Sequence, residues 1–357
     1  MISQEAMRHA DKCRFCFMCR HLCPVQLQTG REINTPRAKG LLLSMVQRGA
    51  EKFDEGMAEA MYECVLCDAC VNDCATGYRP PLFIRQARTQ AVAEGLAPES
   101  VMRLLDNVQR TGNLYGEEKA SFARKGRDVL IYVGEVAACR VRQMADSLFK
   151  LLEEAGVSAG ALECEPPSGV MLSDLAGYVE EAAQQARACA EAINAAGYKT
   201  VVVLDSYDAE IMKQKYPEWG CPINAEVVTA TAYVAGLIEQ GKLRAKASRG
   251  ILAACHDDDR LARSLYEFEP IRTIAEAAGY NLTEMFLNRR LARSCGSAVA
   301  LEYMPEIVTK MASGRWENLT QTESRVLLTA NPQAYLCLSA AVPEGCKLVD
   351  LYTALAE

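Results

Sequence analysis

The chain lacks most of the usual handles on function. No G-x-G-x-x-G follows an apolar run and no G-x-x-x-x-G-K-S/T loop is present, so no nucleotide-binding fingerprint is visible. No C-x3-C-x2-C run occurs either. No stretch of 18 apolar residues exists. The nearest candidate, AEVVTATAYVAGLI at 225–238, is too short to cross a bilayer and reads as a buried helix. The opening MISQEAMRHADKC has no apolar core of signal-peptide length. Basic residues are outnumbered, 39 against 46 acidic, for a net charge of −7, which argues against nucleic acid as the main partner. These absences lead to the expectation of a soluble, cytoplasmic protein. With 357 residues, half of them hydrophobic, it is long enough for two or three domains.

What the chain has is cysteine, 16 in all. Eight fall in two tight runs, which a disulfide framework would not produce. Cys13, Cys16, Cys19 and Cys23 form one, and Cys64, Cys67, Cys70 and Cys74 the other. Both read C-x2-C-x2-C-x3-C; the first is followed by Pro24, the second by Ala75. This is the ligand run of two-cluster ferredoxins, in which three cysteines grip one iron–sulfur cube and the fourth serves the other. The spacing therefore assigns Cys13, Cys16, Cys19 and Cys74 to one [4Fe–4S] cluster, and Cys64, Cys67, Cys70 and Cys23 to a second. Zinc is the rival ion for thiolates. Structural zinc sites, however, usually draw C-x2-C-like pairs from well-separated places, not two complete ferredoxin runs.

The segments around the runs read as helices. NTPRAKGLLLSMVQRG carries Asn34 or Thr35 as N-cap, Pro36 at the first helical position and Gly49 at its end. DEGMAEAMYEC and PLFIRQARTQAVAEG continue the pattern. Residues 1–115 are thus expected to form a helical ferredoxin-like domain. TGNLYGEEKASFARKGRD at 111–128 reads as a linker. Beyond it, short apolar runs such as DVLIYVG and YKTVVVLDS alternate with helices, the pattern of parallel α/β units. The pattern repeats: RGILAACHDDD matches DVLIYVGEVAA, and SRVLLTANPQA matches TVVVLDSYDA. Two α/β units are expected, 126–245 and 246–357, for an α+β multidomain chain.

With its N-terminal runs, and with AGLIEQGKL, His256-Asp257, TEM, SCGSAVAL and TANPQA in its last third, the chain resembles the iron–sulfur subunits that carry tandem cysteine-rich "CCG" domains. Heterodisulfide reductase, glycolate oxidase and anaerobic glycerol-3-phosphate dehydrogenase have such subunits. The resemblance implies that each α/β unit once supplied a strand-end cysteine, a CCG and a CxxC to an unusual metal site. Most of these positions are changed here. The second unit has His256, Asp257, Asp258, Asp259, then Ser294-Cys295-Gly296, then Asn331 to Ala334. The first has Glu135, then Cys164-Glu165, then Asp205 to Asp208. Only Cys164 and Cys295 survive, too few thiolates for a cluster. Glu135, Glu165, Asp205 and Asp208 could bind a hard cation through oxygens if they converge; the plainer reading has them facing solvent. His256 is expected to hydrogen-bond a loop. Cys139, Cys189, Cys221, Cys255, Cys337 and Cys346 show no ligand spacing and read as core. Cys255 and His256, adjacent in a strand, should point to opposite faces.

The resemblance implies an electron-transfer subunit. It would relay single electrons through two [4Fe–4S] clusters between an FAD-containing dehydrogenase, of 2-hydroxyacid oxidase or electron-transfer flavoprotein type, and a further redox acceptor. A cytoplasmic location, or a peripheral one at a membrane through a partner, follows. The α/β units, stripped of ligands, are expected to serve as a docking platform. The alternatives are a catalytic thiol–disulfide reductase subunit, which loss of both CxxC motifs opposes, and a scaffold whose clusters are only structural.

Overall fold

The structure, a computed structural model, describes residues 2–357. Its N-terminal third is helical for reasons visible in the caps. Thr35 accepts from the Ala38 amide and Pro36 fills the first turn of Pro36–Gln47. Asp54 accepts from the Met57 amide at 2.9 Å and starts Glu55–Tyr62. Pro80–Ala93 and Glu99–Thr111 follow, the latter closed by Gly112 in the left-handed region. Gly40 sits inside a helix, where glycine is unfavourable by about 1 kcal/mol. A Cβ there would collide with the hydroxyl of Tyr78, which donates to the Pro36 carbonyl at 2.7 Å.

Two four-stranded parallel sheets make up the rest. The first contains β1 (Val129–Tyr132), β2 (Ala159–Gly160), β3 (Thr200–Val203) and β4 (Glu226–Thr229) in the order β2-β1-β3-β4. The second contains β5 (Leu252–Cys255), β6 (Asn281–Leu282), β7 (Val326–Thr329) and β8 (Lys347–Asp350) in the matching order β6-β5-β7-β8. β1 is buried along its whole length, and β3, β5 and β7 from their second residue on, as apolar runs covered by helices on both faces must be. One expectation is corrected: residues 225–238 are not one helix. Val227 and Val228 pair with Val201 and Val202 as part of β4. Thr229 then caps the helix Ala230–Glu239. A short apolar run does not distinguish strand from helix by its periodicity, and the β-branched valines decide it here.

The two units pack crosswise. Ala230–Glu239 lies against Pro270–Ala277, and Arg142–Glu154 against Leu351–Ala356. The segment 111–128 is tied down, since the Leu114 amide donates to Glu135 at 3.0 Å and Arg124 pairs with Ala161. The helical third is fastened too. Arg85 meets Asp174 at 2.6 Å, both buried, and the Tyr62 hydroxyl donates to the Leu175 carbonyl at 2.9 Å.

Candidate functional site

The two cysteine runs fold alike. Phe15 and Phe17 in the first, and Leu66 and Asp68 in the second, all have positive φ, 53°, 66°, 54° and 59°. These pairs flank the second cysteine of each run. Non-glycine residues avoid this region unless the surroundings require it. Here it bends the backbone so that an amide turns back on the first cysteine. Phe15 N–H donates to Cys13 Sγ at 3.5 Å and Leu66 N–H to Cys64 Sγ at 3.4 Å. Hydrogen bonds to cysteine sulfur are one of the means by which a protein sets the potential of an iron–sulfur cluster.

Each run lines a hollow, and each hollow is also lined by the last cysteine of the other run. Cys13, Cys16, Cys19, Cys70 and Cys74 line a space of about 130 Å³. Cys23, Cys64, Cys67 and Cys70 line an adjoining one of about 20 Å³. The donor set fits two thiolate-bound clusters: five cysteines line the first space and four the second, amides point at sulfur, and the walls are mostly apolar. Burial pushes the thiols of Cys19 and Cys23 up to about 11, so cluster binding must displace their protons.

Cations that carried no signal in the sequence stand close by. Lys39, wholly buried, lines the second hollow and donates to the Ala60 carbonyl. Arg88, also buried, donates to the carbonyls of Met61, Tyr62 and Cys64. Arg263 of the second α/β unit donates to the Cys67 carbonyl at 2.8 Å and to Asp259 at 2.6 Å. Such charges offset the negative charge that a thiolate-bound cluster brings. The core of the second unit also reaches Val25, Val65, Cys23 and Cys67. Of the residues between the cysteines, Arg20 pairs loosely with Glu32 at the surface, and Arg14 donates to the carbonyls of Asp11 and Cys13.

The second cysteine-poor site lies at the C-terminal ends of the strands, where strand order reverses and α/β sheets normally open a crevice. Here the two crevices close on each other. Ser206 donates to Asp258 at 2.6 Å and accepts from the Asn331 amide at 2.7 Å. Asp205 accepts from Gln333 at 3.1 Å. Contrary to a solvent-facing placement, Glu135, Asp205 and Asp208 are buried and Glu165 half-buried. Most of their oxygens are taken by protein donors: Glu135 by the Leu114 amide, Glu165 by the amides of Val133 and Gly134, Asp208 by Ser168. Gly134 is required beside them, because at φ 79° a Cβ would strike Asp208 Oδ2. No three of these side chains form a metal-binding group among the described residues. Burial raises Glu135 to about 7, Asp258 to about 7 and Asp205 to about 6. Cys164 is exposed and apart.

His256 is held between Arg315, which donates to Nδ1 at 3.1 Å, and Cys295, whose sulfur lies 3.4 Å from Nε2. Accepting at Nδ1 leaves the proton on Nε2. Burial and the arginine hold the ring well below the ordinary histidine range, hence neutral. Cys295 packs with Cys337 in one apolar cluster while Cys255 belongs to another, so Cys255 and His256 do point apart. Asp259 holds Arg263 and accepts from Ser294.

Comparison with known proteins agrees with this chemistry. Residues 9–78 match the 4Fe-4S dicluster domain. The chain is 24% identical to the EtfAB:quinone oxidoreductase of Syntrophomonas wolfei over 306 residues, 79% of this chain and 42% of that protein. It is 26% identical to the probable iron-sulfur-binding oxidoreductase FadF of Bacillus subtilis, over 77% of this chain and 41% of that one. The chain therefore spans about two fifths of the length of these relatives. Among solved structures, a hypothetical protein from Helicobacter pylori superposes with a TM-score of 0.60 at 11% identity, covering 99% of this chain and 72% of that one, a likeness of fold alone. The dicluster domain and the relatives are consistent with the CCG-type iron–sulfur subunits. The protein carries 4Fe-4S clusters. No helix among the described residues is long and apolar enough to cross a membrane.

Proposed function

We propose that the chain is an electron-transfer iron–sulfur subunit with cross-ligated clusters: Cys13, Cys16, Cys19 and Cys74 hold one, and Cys64, Cys67, Cys70 and Cys23 the other. The observation that carries this reading is the pair of adjoining hollows: the first is lined by Cys13, Cys16 and Cys19 with Cys70 and Cys74 of the other run, the second by Cys64, Cys67 and Cys70 with Cys23 of the other. When bound, the clusters accept and release one electron each. The chain's own residues do the rest. The two runs fix the sulfurs, the Phe15 and Leu66 amides and Arg263 bias the potential, and apolar walls limit water.

In this reading residues 1–115 hold the clusters, while 126–245 and 246–357 form a dock for other redox proteins. The donor is an FAD-containing dehydrogenase of 2-hydroxyacid oxidase type or an electron-transfer flavoprotein. The acceptor is a quinone reductase, a ferredoxin or a second flavoprotein. The work takes place in the cytoplasm, or at the membrane periphery through a partner. Support comes from the relatives' descriptions as oxidoreductases and from the filled ligand positions of the α/β units, where Asp259 and Asp205 hold protein partners. The same filling disfavours a thiol–disulfide reductase, since Cys295 and Cys337 are buried and Cys164 stands alone at the surface.

The test is the iron and acid-labile sulfide content of anaerobically purified protein, with EPR of the reduced form. About eight of each, and signals of ferredoxin type only, are expected. Twelve or more irons would mean that the α/β units hold a further cluster.

A further inference from the structure

The first cluster site reaches the surface directly. Cys16 is exposed and sits among the exposed Phe15, Phe17 and Met18. The second is set further in: its four cysteines are half-buried, with Cys23 and Cys67 packed against the core of the second α/β unit and Cys64 against that of the helical third. A groove of about 610 Å³ leads toward it at the seam between those two parts. Its floor holds Tyr62 and Tyr303, whose rings meet edge to face at 5.8 Å. The Tyr303 hydroxyl lies 3.4 Å from the carbonyl of Cys64. Leu96, Met304 and Ile307 add apolar wall. Around these stand Glu55, Glu59, Glu99 and Glu306, all exposed and without an ion pair among the described residues. Deeper in, Glu63 is 8% exposed; one of its oxygens pairs with Arg31 while Oε2 is buried with no hydrogen-bond partner.

We propose that this groove is the docking site of a redox protein that presents lysine or arginine side chains around its own cofactor, and that the second cluster exchanges electrons there. The charge distribution favours that occupant. Residues 1–50 carry eight Lys and Arg against three Asp and Glu, a local charge of +5 in a chain of net −7. The surface of the first cluster therefore suits an acidic partner, and the groove beside the second a basic one. Opposite charge at the two ends would keep donor and acceptor from competing for one surface. The proposal rests on the electron-relay reading above.

A lysine-rimmed c-type cytochrome serves as the probe, on the full chain with its clusters. Its binding at low ionic strength is measured for the wild type, for a groove triple variant (Glu59→Gln, Glu99→Gln, Glu306→Gln) and for a distant triple variant (Glu181→Gln, Glu191→Gln, Glu239→Gln). The groove triple should weaken binding roughly tenfold, as loss of three exposed charge pairs implies, and the distant triple less than twofold. Carbodiimide cross-links in the wild type should map to Glu55, Glu59, Glu99 or Glu306. Equal weakening by both triples, or cross-links spread over the acidic surface, would overturn the proposal. Oxidation of the reduced protein by ferricyanide, a small anion that needs no groove, is followed in parallel. Failure of that reaction would defeat the relay reading itself, whereas normal ferricyanide oxidation with equal triples would defeat the groove alone.

Discussion

Arg263 reaches from the second α/β unit to the backbone of the second cysteine run, donating to the Cys67 carbonyl at 2.8 Å while Asp259 holds its other side at 2.6 Å. An acidic side chain thus orients a cation beside a cysteine of the second run. The pair should shift the potential of the second cluster in opposite directions when its members are removed singly. Arg263→Gln removes a cation that favours the reduced form and should lower that potential, by about 59 mV for each ~1.4 kcal/mol of lost attraction. Asp259→Asn should raise it. Potentiometric EPR checks both signs, and the first cluster should move far less in either variant.

Cross-ligation makes a prediction in iron counts. Cys23→Ser combined with Cys67→Ser should strike one cluster twice and leave about four irons. Cys23→Ser combined with Cys16→Ser should strike both clusters and leave almost none. If each run held its own cube, the two double variants would exchange results.

Glu135 predicts a pH effect. Burial, opposed in part by the Leu114 amide, holds its carboxyl up at about 7 against an ordinary 4.5. Between those values the folded chain keeps a proton that the unfolded chain has released. The stability this contributes is full at low pH and declines as pH rises to 7. Glu135→Gln keeps an oxygen for the Leu114 amide and removes the titration. Its thermal midpoint should match the wild type near pH 4.5 and exceed it by a few degrees at pH 8, an effect on the order of 2 kcal/mol. Anaerobic melting at the two pH values measures it. A constant difference would mean that Glu135 is charged throughout.

Ser206 predicts a stability effect at the seam between the sheets. It is the hydroxyl between Asp258 and Asn331. Ser206→Ala removes one of three donors to the Asp258 oxygen and leaves the Asn331 amide only its longer contact with Asp205, and should destabilise the chain by about 0.5–1.5 kcal/mol. Limited proteolysis between the units should quicken in step. An unchanged rate would show that the crosswise helix packing alone holds them together.

Much of this was legible in the residues. The cysteine spacing carries the dicluster domain, because ligand geometry dictates sequence spacing at such a site. The doubled strand pattern anticipates two sheets of the same order, and even the equivalence of Asp205 with Asn331, since both cap the helix after the third strand of their sheet. Residues 225–238 misled because an unbroken apolar run hides the point where a strand becomes a helix. The inward turn of Asp205, Asp208 and Glu135 was hidden for another reason. Nothing in a carboxylate's neighbours along the chain announces that Gln333, 128 residues on, will hydrogen-bond it. Lys39, Arg88 and Arg263 escaped notice likewise, because a buried cation looks in sequence like any surface one.

The claim that the two clusters carry current, and do not merely hold the helical third together, is tested most directly by a reductive titration of the full chain, followed by EPR. The account predicts an uptake of about two electrons per chain, one per cluster, with two one-electron signals broadened by mutual magnetic interaction because the sites adjoin. A chain with about eight irons that takes up no electrons down to the lower end of the iron–sulfur range, roughly −700 mV, would contradict it.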